Sequence, residues 1–238
     1  MNQNNGLMGR RNFLNLTGTG GMALVAAVTG SAFWNLLSDR AIAAPIEPLS
    51  PDAALQKLMD GNQRFVQQKG KHPDQSRARM KEVAQAQYPF ATVLCCADSR
   101  VPPEILFDEG IGDLFDIRVA GNIVTPEVLG SLEYAVALLN TPLIMVLGHE
   151  RCGAVTAAVK GERLQGHIGS FVKAIKPAVS KTKGQSGDPV DNAVIANVQY
   201  QIQKLKWSSA ILSQRSFNGK LKIVGGRYDL DSGQVTLI

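Results

Sequence analysis

Ala91-Thr92-Val93-Leu94-Cys95-Cys96-Ala97-Asp98-Ser99-Arg100 is the stretch on which the reading of this chain turns. A β-rich apolar run leads into Cys96. A second such run, Pro142-Leu143-Ile144-Met145-Val146-Leu147, leads about fifty residues later into His149-Glu150-Arg151-Cys152-Gly153. In parallel α/β sheets, binding residues collect just past the carboxyl ends of strands, so the two segments can converge on one point. Cys96, His149 and Cys152 then make a three-ligand zinc set, one ion per chain. Three protein ligands, rather than four, leave a position on a tetrahedral metal open for water or substrate, which separates catalytic from structural zinc.

Outward from these segments the pattern is one of alternation. Strands are expected near 91–96, 115–119 and 142–147, with helices over 127–139, 152–160 and 190–206. This predicts an α/β fold, a mainly parallel β-sheet flanked by helices on both faces. Ser50-Pro51-Asp52 places a Ser N-cap and a Pro in the first turn of an N-terminal helical arm. Its residues Leu55, Leu58, Phe65 and Val66 mark an apolar face, on which the arm could pack against a partner subunit. A more polar helix is expected over 75–86. Lys220 to Gly226 and Gln234 to Leu237, around Asp231-Ser232-Gly233, read as a C-terminal strand pair. Lys181 to Pro189, rich in Gly and Ser, reads as a loop.

Taken together, C-x-D-S-R at Cys96–Arg100 and H-x-x-C at His149–Cys152 resemble the β-class carbonic anhydrases. The likeness extends to Val101-Pro102-Pro103-Glu104, Arg118-Val119-Ala120-Gly121-Asn122, Ser131 to Val136 and Lys222 to Tyr228, and covers roughly residues 50–238. The resemblance implies reversible hydration of CO2 to bicarbonate and a proton, through a zinc-bound hydroxide that attacks CO2. One subtype of the family carries a tryptophan three residues before the first zinc cysteine, as part of a bicarbonate site. Here that position is Val93, although Arg118 and Tyr134, the other expected members of that site, are present. The resemblance is therefore to the plant-like subtype, in which the zinc is open.

Each residue type suits the chemistry. Two thiolates cancel the formal charge of Zn²⁺, so a water on it is harder to ionise than one on a three-histidine site, and the surroundings must compensate. Cys152 lies at a strand-to-helix junction, where free N–H groups and the helix dipole favour a thiolate. Asp98 can either close the site as a fourth ligand or hydrogen-bond the hydroxide. Arg100, two residues on, can hold the carboxylate in a bidentate, charge-assisted pair and keep it off the metal; the resemblance implies this Asp98–Arg100 dyad. Gln87, nine residues before Cys96, sits where plant-like members place a glutamine that donates to substrate oxygen across a subunit interface, its amide adding no charge. That role implies a homodimer or a dimer of dimers. Cys95 neighbours Cys96 on a strand and so points to the opposite face; it is expected to pack behind the sheet. His72 and His167 sit in polar loops and are expected at the surface, as are Glu150 and Arg151, in solvent or at an interface. Phe107, Phe115 and Tyr134 read as core.

The chain has 238 residues, 25 Lys and Arg against 20 Asp and Glu, and three cysteines. That length accommodates one α/β domain plus a processed leader. Gly9-Arg10-Arg11-Asn12-Phe13-Leu14 reads as a twin-arginine export signal, followed by an uncharged stretch over 12–38 and a small-x-small cleavage pattern at Ala41-Ile42-Ala43. Residues 1–43 are therefore expected to be removed, leaving a domain over 44–238 in the periplasm. An uncleaved membrane anchor is the competing reading, against which Gly and Thr dilute the stretch. No basic cluster with interleaved aromatics points to nucleic acid. No C-x-x-C points to thiol redox chemistry. The motifs by themselves leave open a carbonyl sulfide or carbon disulfide hydrolase on the same scaffold, and a non-catalytic zinc-binding module.

Overall fold

The computed structural model describes residues 49–161 and 164–238. The expected leader, residues 1–43, lies outside them.

Four parallel strands and one antiparallel strand make the sheet. They are β1 (Ala91–Cys95), β2 (Leu114–Arg118), β3 (Leu143–His149), β4 (Lys222–Tyr228) and β5 (Val235–Leu237), in the order β2-β1-β3-β4-β5. β1 and β3 are buried along their whole length. This explains why both read as unbroken apolar runs, since a parallel strand covered on both faces has no solvent side to mark with polar residues. Side chains alternate between the two faces. Val93 and Cys95 of β1, with Leu143, Met145 and Leu147 of β3, enter one core with Leu58, Leu106 and Phe107. Leu94, Ile144 and Val146 enter the other, with Val128, Leu132, Val198, Leu205 and Leu212. Cys95 thus packs behind the sheet as expected.

The first core is roofed by α1 (Pro51–Val66) and the short α3 (Pro103–Leu106); α2 (Arg77–Val83) lies between α1 and the sheet in sequence and buries nothing. Ser50 caps α1 by accepting from the Ala53 N–H at 3.2 Å, with Pro51 in the first turn. The apolar face of the N-terminal arm is used inside this chain. Leu58 is fully buried on the sheet, Leu55 and Phe65 pack beside it, and Val66 remains exposed. The second face carries α4 (Pro126–Ala137), α7 (Pro189–Ser208) and α8 (Ala210–Phe217). α5 (Gly153–Lys160) and α6 (Gly169–Ser180) form a third apolar cluster with Cys96, Ile123 and Cys152.

Two of these helices carry weak sequence signals. α6 has no side-chain N-cap, no acidic residue in its first turn and Pro177 inside it. α8 follows α7 with only Ser209 between them, and Ser209 is its cap, accepting from the Leu212 N–H at 3.1 Å. Boundaries elsewhere fall within a few residues of those expected. β3 extends two residues further, to His149, because it pairs with β4 through His149↔Tyr228.

Asn62 ties the arm to the strand pair. Its amide donates to the Leu106 and Gly233 carbonyls, at 3.0 and 2.9 Å, and accepts from the Val235 N–H at 2.8 Å. The close approach needs Gly233. Its φ is +78°, and a Cβ there would meet the Phe65 ring at 2.8 Å. Among the described residues, no helix is long and apolar enough to cross a membrane. Asn62→Ala would orphan two buried carbonyls and one buried N–H, and should cost on the order of 3 kcal/mol. Urea unfolding checks this, and a loss below about 1 kcal/mol would show the tie to be dispensable.

Candidate metal centre

The chain leaves β1, runs outward to β2 and returns to β3 on the other side of β1. β1 and β3 are therefore neighbours whose following loops diverge, which opens a crevice at their carboxyl ends. Cys95 pairs with Leu147 in register, so Cys96 and His149 emerge together at that crevice. Cys152 is the N-cap residue of α5, and Arg151 before it takes a left-handed φ of +48° to turn the chain back.

Three elements thus deliver Cys96, His149 and Cys152, whose ligand atoms all lie within 4.8 Å of one another. The sulfurs are 3.9 Å apart. All three residues are buried. His149 Nδ1 lies 2.8 Å from the Glu150 carbonyl. A carbonyl only accepts, so Nδ1 carries the proton and Nε2 is left with its lone pair. Nε2 is buried and has no hydrogen-bond partner among the described residues.

The electrostatics match this donor set. The Cys96 thiol is pulled down, first by the hydrogen bond from Cys152, against its burial, and then by the Gly121 and Asp98 N–H groups. The Gly121 N–H donates to Cys96 Sγ at 3.3 Å. Cys152 is pushed up, because it shares a proton with Cys96 and is buried; the N–H groups of Val155 and Ala154, in the first turn of α5, work the other way. A divalent cation would take the place of that shared proton and of the missing partner of Nε2, and two sulfurs with one imidazole nitrogen fit zinc.

Asp98 stands beside the set. Its Oδ2 is 3.8 Å from His149 Nε2. Arg100 holds it with Nε on Oδ1 at 2.9 Å and Nη2 on Oδ2 at 2.8 Å, and the Arg100 backbone N–H adds a bond to Oδ1 at 3.0 Å. The Arg100 guanidinium keeps the Asp98 carboxyl well below the usual carboxylate range. Asp98 is thus ionised at every working pH and tied to arginine, close to the three ligands. Arg118, at the end of β2, donates to the Cys96 and Asp98 carbonyls at 3.3 and 2.6 Å and clamps the backbone that carries both.

Gln87 does not join the site within one chain. It is exposed and precedes β1, whereas Cys96 follows it. Five strand residues separate the two ends by about 17 Å. His72 and His167 are exposed, as expected. Glu150 and Arg151 are paired inside the chain. Arg227 Nη2 reaches Glu150 Oε1 at 2.6 Å, and Arg151 makes a two-pronged bond to Asp231. They staple the turn after His149 to the loop between β4 and β5. Phe107 is core as expected, but Phe115 is only half-buried and Tyr134 is exposed, their ring centroids 6.1 Å apart, so neither is core. Gly121 and the backbone clamp of Arg118 escaped the sequence reading. A backbone N–H carries no residue signal, and only the Arg118–Asn122 match marked the region.

The carbonic anhydrase family model matches residues 91–235. The chain is 41% identical over 192 residues to "Carbonic anhydrase 2" of Mycobacterium tuberculosis, covering 79% of this chain and 93% of that one. It is equally 41% identical over 192 residues to a carbonic anhydrase of Mycolicibacterium smegmatis, with the same coverage. Among solved structures, a Coccomyxa β-carbonic anhydrase in complex with acetazolamide superposes with a TM-score of 0.60 at 26% identity, over 77% of this chain and 86% of that one.

Proposed function

The chain belongs to the carbonic anhydrase family, in its β class, and we propose that it interconverts CO2 and bicarbonate on one zinc ion held by Cys96, His149 and Cys152. The observation that carries the zinc reading is the buried, partnerless Nε2 of His149 beside two sulfurs, with its tautomer set by the Glu150 carbonyl. An outer hydrogen bond of this kind is what orients a metal-binding imidazole. When bound there, zinc supplies a water that ionises near neutral pH, its pKa lowered from 15.7 to about 7.

The chain's own residues do the rest. Asp98, ionised and acceptor-only, takes the hydrogen bond of the attacking oxygen and turns that oxygen's lone pair toward the carbon of CO2. In the reverse direction it accepts from the hydroxyl of bicarbonate. Arg100 holds Asp98 in that role, which supports the open, plant-like form of the site. Because the Asp98 carboxyl lies below the usual range, its protonation does not set the pH profile at neutral pH. Activity should rise with pH through the ionisation of water instead.

Gln87 is proposed to reach the site of a second copy, where its amide donates to substrate oxygen. Its place at the far end of β1 supports this, since its own site is out of reach. Among the described residues the outer edge of β2 is unpaired at the end of the sheet, so a second copy can approach there. The minimal active unit is then a homodimer. We further propose that residues 1–43 are a twin-arginine signal, removed on export to the periplasm.

Three measurements test these readings. Stopped-flow CO2 hydration by the zinc-loaded chain should rise with pH, and Asp98→Ala should keep its zinc yet lose at least about a hundredfold in turnover. Unchanged turnover in that variant would sink the role of Asp98, and turnover of carbonyl sulfide or carbon disulfide alone would move the assignment to those substrates. Dilution followed by light scattering should show activity falling as dimers dissociate; fully active monomers would remove Gln87 from the site. The exported chain should begin at Ala44 by intact mass, and an intact Met1 on the exported protein would refute cleavage.

A further inference from the structure

α7 carries a line of polar residues where an apolar helix face is expected. Asn197 and Gln201 are both fully buried, one turn apart on the side that meets the loop after β2. Their hydrogen bonds run in one direction. The Val124 N–H donates to Gln201 Oε1 at 2.9 Å, Gln201 Nε2 donates to Asn197 Oδ1 at 3.0 Å, and Asn197 Nδ2 donates to the Gly121 carbonyl at 2.9 Å. Lys204, a further turn along, donates to the Val124 carbonyl at 2.7 Å. The ends of this relay are a backbone donor and a backbone acceptor, so both amides have one orientation only.

What the relay holds is the turn Gly121–Val124, and Gly121 is the residue whose N–H meets Cys96 Sγ. The turn is tight against its surroundings. Gly121 has a φ of +71°, and a Cβ on it would meet Ile175 Cδ1 at 2.6 Å and the Ala154 Cβ at 3.2 Å. Burying two amides on a helix face costs free energy unless every polar atom finds a partner. An apolar pair would pack there without that demand. The polar pair does one thing that an apolar pair cannot, which is to grip both ends of the Gly121–Val124 segment.

We propose that Asn197 and Gln201 are positioning residues for the metal centre, which through the Gly121–Val124 turn hold a backbone N–H on the Cys96 sulfur. The inference rests on the zinc reading of Cys96, His149 and Cys152. The hydrogen bonds of these two residues go to each other and to the backbone of Gly121 and Val124, and to none of Cys96, His149 and Cys152. They act on Cys96 through Gly121 and so govern how the thiolate presents itself to the ion. An N–H held on a metal-binding sulfur draws off electron density and fixes its direction, and the loss of such outer contacts typically lowers metal affinity by about tenfold to a hundredfold.

The test is cobalt uptake by the metal-stripped full-length chain, with Co²⁺ as the spectroscopic stand-in for zinc, titrated against a chromophoric chelator. Gln201→Met and Asn197→Leu keep the approximate volume and remove the hydrogen bonds. The expected result is a fall in Co²⁺ affinity of about tenfold or more, together with a displaced sulfur-to-cobalt charge-transfer band. A role in stability alone would lower Tm and leave the band where it is. Folded variants with the affinity and band of the unaltered chain would overturn the inference. Should neither core variant fold, Lys204→Met frees only the Val124 carbonyl; the band should move the same way by less, and an unmoved band counts against the proposal. If the unaltered chain takes up no cobalt, the zinc reading itself falls, and the inference with it.

Discussion

Everything at the site depends on the parallel pairing of β1 with β3. In register, Cys95 sits opposite Leu147, so the two strands deliver Cys96 and His149 to the same end of the sheet at the point where the chain's path reverses. Hydrogen bonds of the sheet lock that relation on one side, and β4 locks His149 on the other through Tyr228. The first turn of α5 then needs to bring in only one more ligand. A slip of one residue between β1 and β3 would turn every side chain of a strand to the opposite face. The two cores, filled by Val93, Cys95 and Met145 on one side and Leu94, Ile144 and Val146 on the other, forbid it.

That mechanical solution creates an electrostatic problem. Two sulfurs that share one proton and a carboxylate lie close together in a largely buried place, where uncompensated charge is costly. The fold answers each separately. Cys96 receives the Gly121 N–H, Cys152 sits at the start of α5, and Asp98 is tied by Arg100. The division matters for the chemistry. In the proposed reaction, a carboxylate bound by arginine would stay out of competition for the metal yet lie close enough to hold the proton of a reacting oxygen.

The supports of the site are drawn from distant parts of the chain. Arg118 clamps the Cys96–Asp98 backbone from β2, α7 grips the Gly121–Val124 turn, and Arg227 and Asp231 staple Glu150 and Arg151 from the C-terminal strand pair. Charged side chains between the ligand positions thus serve to brace the turn. Each brace ends on a backbone group or on a side chain next to Cys96, His149 or Cys152, which arrive on different elements.

The Cys96–His149–Cys152 cluster, the Asp98–Arg100 pair and the α/β alternation were legible in the chain alone, because each rests on local facts. Residue type determines which atoms can bind a soft cation, and an apolar run between turns reveals a strand. The helical arm and the strand pair were visible for the same reason. The arm's packing partner was not: an apolar face shows that something covers it, and only the structure shows Leu58 seated on its own sheet. α6 and α8 were hidden because one lacks caps and the other shares Ser209 with the end of α7. The tautomer of His149, the N–H on Cys96 and the distance of Gln87 from its own site depend on where backbone groups come to lie. Those positions follow from strand order and register, which are contacts between residues far apart in the chain, and tertiary structure alone decides them.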